Sequence, residues 1–354
     1  MKRAKDGKKI AGLVAILVVF ILAFFVTYPF YIESPGLCSN LNQYVTVDGK
    51  RDSSKGGFYL TAVGVREANG VALIHALFDP TESIEKKEDV VGKGGDFETM
   101  RRVNQYYMEN SENNAIEESL KLAGKPYSFD YLGIYILSIQ DNSPFKDVLN
   151  IGDTIVSLDG HAFQTADEFV NYVMSLGKGA KITVTVKEDG KEKSYTRKLV
   201  KLKQADKKAP TRYGIGIVLT DHTKIKSEIP IEINAGSIGG PSAGFMFTTE
   251  IYEQVSGEDL HHGLDIAGTG TINDKGEIGI IGGVDKKVVA AADAGAQYFF
   301  APTEKPTKEE LKADPTLKSN YEDAKATVKK LKLKIKVLPA TNLEQAIKLM
   351  KTLK

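Results

Sequence analysis

The feature that most constrains this chain is the segment at residues 10–32, "IAGLVAILVVFILAFFVTYPFYI", which carries no charge. At about 1.5 Å rise per residue, a helix of that length crosses a hydrocarbon core of roughly 30 Å. A buried core helix is one alternative and a cleaved signal peptide another. A signal peptide has a shorter apolar region followed by small residues in an A-x-A pattern. Here "ESPG" follows instead, and Tyr28, Phe30 and Tyr31 suit an interfacial aromatic belt. The expectation is an uncleaved transmembrane helix. The segment before it, residues 1–9, sets Lys2, Arg3, Lys5, Lys8 and Lys9 against Asp6. Such a basic flank stays cytoplasmic, which places the chain beyond residue 33 outside the plasma membrane in a single-pass arrangement.

With 354 residues the remainder has room for two or three domains. The net charge of +1 argues against bulk electrostatic binding of nucleic acid. Cys38 is the sole cysteine, so no intrachain disulfide forms, and it reads as a free thiol. C-x-x-C, H-E-x-x-H and G-x-x-x-x-G-K-[ST] are all absent, so no metal, no cofactor and no ATPase module is expected. Residues 33–125 read as a β-rich extracellular region with a helical segment: "QYVTVDG", "GFYLTAVGV" and "GVALIHALF" suit strands, and residues 96–124 change to helical spacing. Residues 126–202 form a small β-domain with a helix at 165–176. The polar, basic stretch 203–212 is a linker. Residues 213–354 form an α+β domain, so the fold class is α/β multi-domain.

In that last domain "GSIGGPSAGF" (236–245) leads into a helix, "FMFTTEIYEQV". Serine is a favoured N-cap, so Ser242 could serve only the helix. It could equally be a nucleophile, which needs a base and an oxyanion hole. Backbone N–H groups around Gly239, Gly240 and Ala243 could supply the hole. None of His75, His161, His222, His261 and His262 sits in a recognisable triad signature. A lysine is the other base, provided burial or a nearby positive end lowers its pKa. "GGVDKKVVAAADAG" puts Lys286 and Lys287 in the first turn of a small-residue helix, where the dipole disfavours a cation. Both could also be solvated surface charges.

Two resemblances sharpen these readings. Residues 131–176, with "IGDTIVSLDG" at their centre, resemble a PDZ domain in the bacterial arrangement. That resemblance implies a peptide-binding loop at Tyr131, Leu132, Gly133 and Ile134, with Tyr131 where a glycine is more usual. "GPSAG", followed by "AGTGTINDKGEIGIIGGVDKKVVAA", closely resembles the proteolytic domain of Lon proteases, which are Ser–Lys dyad peptidases. The resemblance implies Ser242 as nucleophile and Lys287 as base, because the family's lysine directly precedes a run like "VVAA". It implies that the Thr269 hydroxyl helps hold the lysine. Gly239 stands where many Lon proteases carry an acid. Anchor, PDZ-like module and Lon-type domain together resemble the membrane-anchored PDZ–Lon serine proteases of Gram-positive bacteria, the pheromone-processing enzymes among them. That implies ATP-independent cleavage of secreted peptides or membrane-tethered proteins, with a peptide or unfolded protein as partner. The rival reading is a non-catalytic membrane-tethered scaffold that holds partners on its PDZ-like domain.

Overall fold

The computed structural model describes residues 13–14, 16–92, 95–188, 191–202, 211–236, 238–313 and 318–354. In chain order, strands β1 (Thr27–Asn40) and β2 (Gly57–Asn69) are followed by helix α1 (Gly70–Phe78), strand β3 (Ser83–Lys86) and the long helix α2 (Phe97–Leu122). A second set follows: β4 (Tyr127–Ile139), β5 (Thr154–Leu158), α3 (Ala166–Leu176), β6 (Lys181–Glu188), β7 (Lys191–Lys198) and β8 (Ile217–Ser227). The chain then runs through α4 (Gly244–Ser256), β9 (Asp265–Gly268), α5 (Val284–Asp293), β10 (Tyr298–Pro302), α6 (Asn320–Leu331), β11 (Lys336–Ala340) and α7 (Leu343–Met350).

The strands at the two ends of the chain share one sheet, in the order β11-β10-β9-β2-β1-β3. β9 lies parallel to both β10 and β2, with Ile266 opposite Phe58 and Tyr298. β1 then pairs antiparallel with β2 and β3. Phe58 and Leu60 of β2 and Met108 and Ala115 of α2 are buried in one core with Phe245, Phe247 and Ile251 of α4. The middle of the chain forms a separate sheet, β8-β4-β5-β6-β7, around its own core of Ile134, Phe145, Leu158, Phe169 and Val184.

This arrangement corrects the expected domain boundaries. Residues 33–125 are not a separate region: β1, β2, β3 and α2 complete the sheet and core of the C-terminal domain. The small β-domain does not end at residue 202, because β8, expected within the 213–354 domain, pairs with β4 throughout its length. It is therefore inserted into the larger fold between α2 and α4. The linker expected at 203–212 falls mainly on residues 203–210, which lie outside the described residues. "GVALIHALF" is a helix rather than a strand. A nine-residue apolar run is ambiguous by periodicity; the Asn69 side chain decides it by accepting a hydrogen bond from the Ala72 N–H as N-cap.

The N-terminal expectation also needs correction. Among the described residues no helix is long and apolar enough to cross a membrane. Residues 16–24 are helical, but Thr27–Ile32, expected in the same helix, form the start of β1. Pro29 and the β-branched and aromatic Thr27, Tyr28, Phe30, Tyr31 and Ile32 favour extended backbone there. The expected basic segment at 1–9 lies outside the described residues.

Candidate active site

Ser242 sits in a single 3₁₀ turn, Pro241–Ala243, at the entrance to α4. The N-cap of α4 is Ala243, and no side chain caps the helix, so Ser242 is not the cap. Gly240 holds φ at +91°, a left-handed conformation suited to glycine. The turn is fixed from both sides. The Ser242 carbonyl accepts from the Gly270 N–H at 2.9 Å and from the Thr269 hydroxyl at 3.0 Å. On the α2 side, the Gly240 N–H donates to the Asn104 carbonyl at 2.8 Å, and the Ser111 hydroxyl donates to the Pro241 carbonyl at 3.0 Å.

Lys287 enters from the first turn of α5, whose N-cap is Gly283 at φ +66°. Its Nζ lies 2.6 Å from Ser242 Oγ and 3.1 Å from Thr269 Oγ1. Lys287 is buried, and burial pushes its pKa down to about 7. An ammonium there would lose most of its hydration, so a substantial share of the amine is neutral near pH 7. Lys286 is different: its ammonium is paired with the Asp285 carboxylate at 2.6 Å. None of the five histidines hydrogen-bonds Ser242 among the described residues. The arrangement holds a hydroxyl against a base of nearly neutral pKa, the requirement for an activated serine.

The structure thus brings Ser242, Lys287 and Thr269 together. Gly239 and Ala243 line the adjoining cleft of about 750 Å³, along with Leu37, Val63, Met108 and Ile280. Gly240 contributes conformation rather than a free donor, since its N–H is bound to Asn104. Asn104, Ser111 and Met108, all on α2, were not foreseen. They lie more than a hundred residues before the motif, and nothing in their local spacing marks them.

Tyr131–Leu132–Gly133–Ile134 lie in β4, and their edge is taken. Tyr131 pairs with Thr223, Gly133 with His222 and Ile134 with Asp221, all in β8. Ile217 and Leu219 of β8 pack on the core that holds Phe169 and Val173 of α3, and the Asp221 carboxylate accepts from the Ala166 N–H at the start of that helix. The slot between strand and helix where a peptide was expected holds the chain's own β8.

Comparison with known proteins matches two parts of the chain to known domain families. Residues 104–199 match the family described as PDZ domain, and residues 211–350 match the Lon protease (S16) C-terminal proteolytic domain. The Lon protease of Ureaplasma parvum is 32% identical over 128 residues, 36% of this chain and 15% of that protein. Lon protease 2 of Thermus thermophilus is 37% identical over 98 residues, 27% of this chain and 11% of that protein. The matched part of the chain therefore spans a small fraction of these relatives' length. The solved PDZ domain of an SdrC-like protein from Listeria monocytogenes is 37% identical and covers 25% of this chain and 90% of that one, with a TM-score of 0.23. The chain carries a PDZ domain and the proteolytic domain of a serine endopeptidase.

Proposed function

We propose that this chain is a membrane-anchored serine endopeptidase that works without ATP, cleaving secreted peptides or membrane-tethered proteins, signalling peptides among them. The observation that carries the catalytic part is the 2.6 Å approach of the buried, near-neutral Lys287 amine to Ser242 Oγ. The neutral amine takes the Ser242 proton as Oγ attacks the scissile carbonyl. Backbone N–H groups at the turn, other than that of Gly240, stabilise the oxyanion. The ammonium formed at Lys287 then protonates the leaving amine, and water hydrolyses the acyl-enzyme to regenerate Ser242.

ATP independence rests on the sequence of this chain, which has no phosphate-binding glycine loop of the G-x-x-x-x-G-K-[ST] type. Without an unfolding motor, extended peptides are the substrates, and folded proteins resist. The anchoring rests on residues 10–26, uncharged and at the lower end of the length that crosses a hydrocarbon core. Among them the consecutive Ile16, Leu17, Val18 and Val19, which point to successive sides of the described helix, are all exposed. The basic flank orients the anchor with the catalytic domain outside the cell.

The test is cleavage of an unstructured peptide library by the full chain in detergent, without ATP, beside Ser242→Ala and Lys287→Ala. Cleavage lost in both variants supports the dyad. Cleavage retained by Lys287→Ala would overturn the base, and cleavage retained by Ser242→Ala would overturn the nucleophile. Dependence on added ATP would remove the motor-free reading alone.

A further inference from the structure

We propose that α1 (Gly70–Phe78) is a second membrane-contacting element, lying on the bilayer surface beside the N-terminal anchor. The inference rests on the anchoring reading above and extends it to a part of the chain that no anchor motif marks. α1 has two faces. Ala72 and Ala76 are buried against Ile32 and Ala68, fixing the helix to β1 and β2. The opposite face presents Val71, Ile74, Leu77 and Phe78, which are 38%, 58%, 72% and 83% exposed. Their spacing of three, three and one residues puts them on one stripe of an α-helix. A stripe ending in Leu77 and Phe78 is an unusual surface to leave in water.

The neighbouring segment identifies the occupant. Gly70 packs so closely on the backbone of Ala23 that a Cβ there would stand 2.9 Å from the Ala23 Cα. The Asn69 side-chain amide donates to the Phe24 carbonyl at 3.3 Å. The end of the apolar N-terminal helix therefore touches the start of α1. Residues Ile16, Leu17, Val19, Phe20, Leu22 and Phe25 of that run are themselves exposed. A helix apolar on every side has a hydrocarbon surrounding as its stable environment, and α1 continues that apolar surface sideways with one apolar stripe and one face held by protein. The surface that α1 offers is made of apolar side chains rather than charges. A zwitterionic bilayer is a sufficient partner.

The chain has no tryptophan, so a single introduced indole reports its own surroundings. Full-length Phe20→Trp, Phe78→Trp and Phe129→Trp would be reconstituted in phosphatidylcholine vesicles with and without bromine on the acyl chains. Phe129 is 54% exposed on β4, away from both apolar helices in sequence. The expected result is a roughly two-fold or greater loss of emission from Phe20→Trp and Phe78→Trp with brominated lipid, and none from Phe129→Trp. Quenching of Phe20→Trp without Phe78→Trp would overturn the role of α1 and leave the anchor standing. Quenching of neither would overturn the anchor itself and this inference with it. An unquenched, blue-shifted Phe78→Trp in a chain that sediments as a dimer would assign the stripe to a second copy, which also overturns the proposal.

Discussion

Lys287 concentrates the chemistry of this protein in one amine. Burial lowers its pKa from 10.5 to about 7, so the fold disfavours a proton that the unfolded chain retains. Between pH 7 and 10.5 the unfolded state binds more protons than the native state, and stability contributed by this group therefore rises with pH. Below about pH 7 the contribution is flat and unfavourable, on the order of 4 kcal/mol. Lys287→Met is therefore expected to raise the melting temperature at pH 7 while abolishing cleavage; a melting curve and a peptide assay read the two together. Catalysis has the same sign: kcat/KM should rise as pH passes upward through about 7, when Lys287 becomes a free base. A pH–rate profile without that ascending limb would separate the base from Lys287. Thr269→Val removes a hydroxyl shared between Lys287 Nζ and the Ser242 carbonyl. It should reduce kcat roughly ten-fold with KM little changed, the loss of about one buried hydrogen bond at the reacting geometry.

Among the elements, α2 ties the catalytic turn to the rest of the fold. Asn104 and Ser111 hold Gly240 and Pro241, while three interleaved residues of the same helix face the inserted sheet. There Asn113 bonds the backbone of Thr223 and Ile225, Glu109 meets His222 at 3.1 Å, and Tyr106 stacks on Tyr135 with centroids 3.9 Å apart. The approach of α2 to α4 leaves no room at Gly244, where a Cβ would come within 2.4 Å of Ser111 Oγ and 2.9 Å of Ile272 Cγ2. Gly244→Ala should destabilise the domain by about 1–3 kcal/mol, measured by denaturant unfolding. The Ser–Lys pair was legible through a family resemblance carried by two compact local patterns, "GPSAG" and "DKKVVAA"; the residues alone left a helix cap and surface lysines as open readings. The contribution of α2 was not, because it depends on contacts across more than a hundred residues. α1 was misread for a local reason: nine apolar residues fit either period, and the Asn69 cap carried the deciding information. The occupied edge of β4 was hidden in the same way, since "YGIGIVLTD" looks like the first strand of a new domain until β8 is seen against β4.

For the whole molecule, the catalytic fold is built from two stretches of chain separated by the PDZ-like insert. β2 supplies the neighbour of β9 and buries Phe58 and Leu60 in the catalytic core. The stretch 211–354 expressed alone should therefore fail to fold cooperatively, giving no sharp thermal transition by circular dichroism. A sharp transition would show that the first 122 residues are dispensable for that core. Excising the insert has a different outlook. Its first and last residues, Tyr127 and Ser227, are cross-strand partners at the end of the β4–β8 ladder. The module thus leaves and rejoins the protease at nearly one point, as a plug-in cassette does. A short turn across that point would rejoin the chain without stretching it, and other small domains with adjacent termini would fit the same socket. The insert and the frame around it can therefore diversify separately: the insert can be exchanged while the Ser242–Lys287 pair stays seated in its own frame.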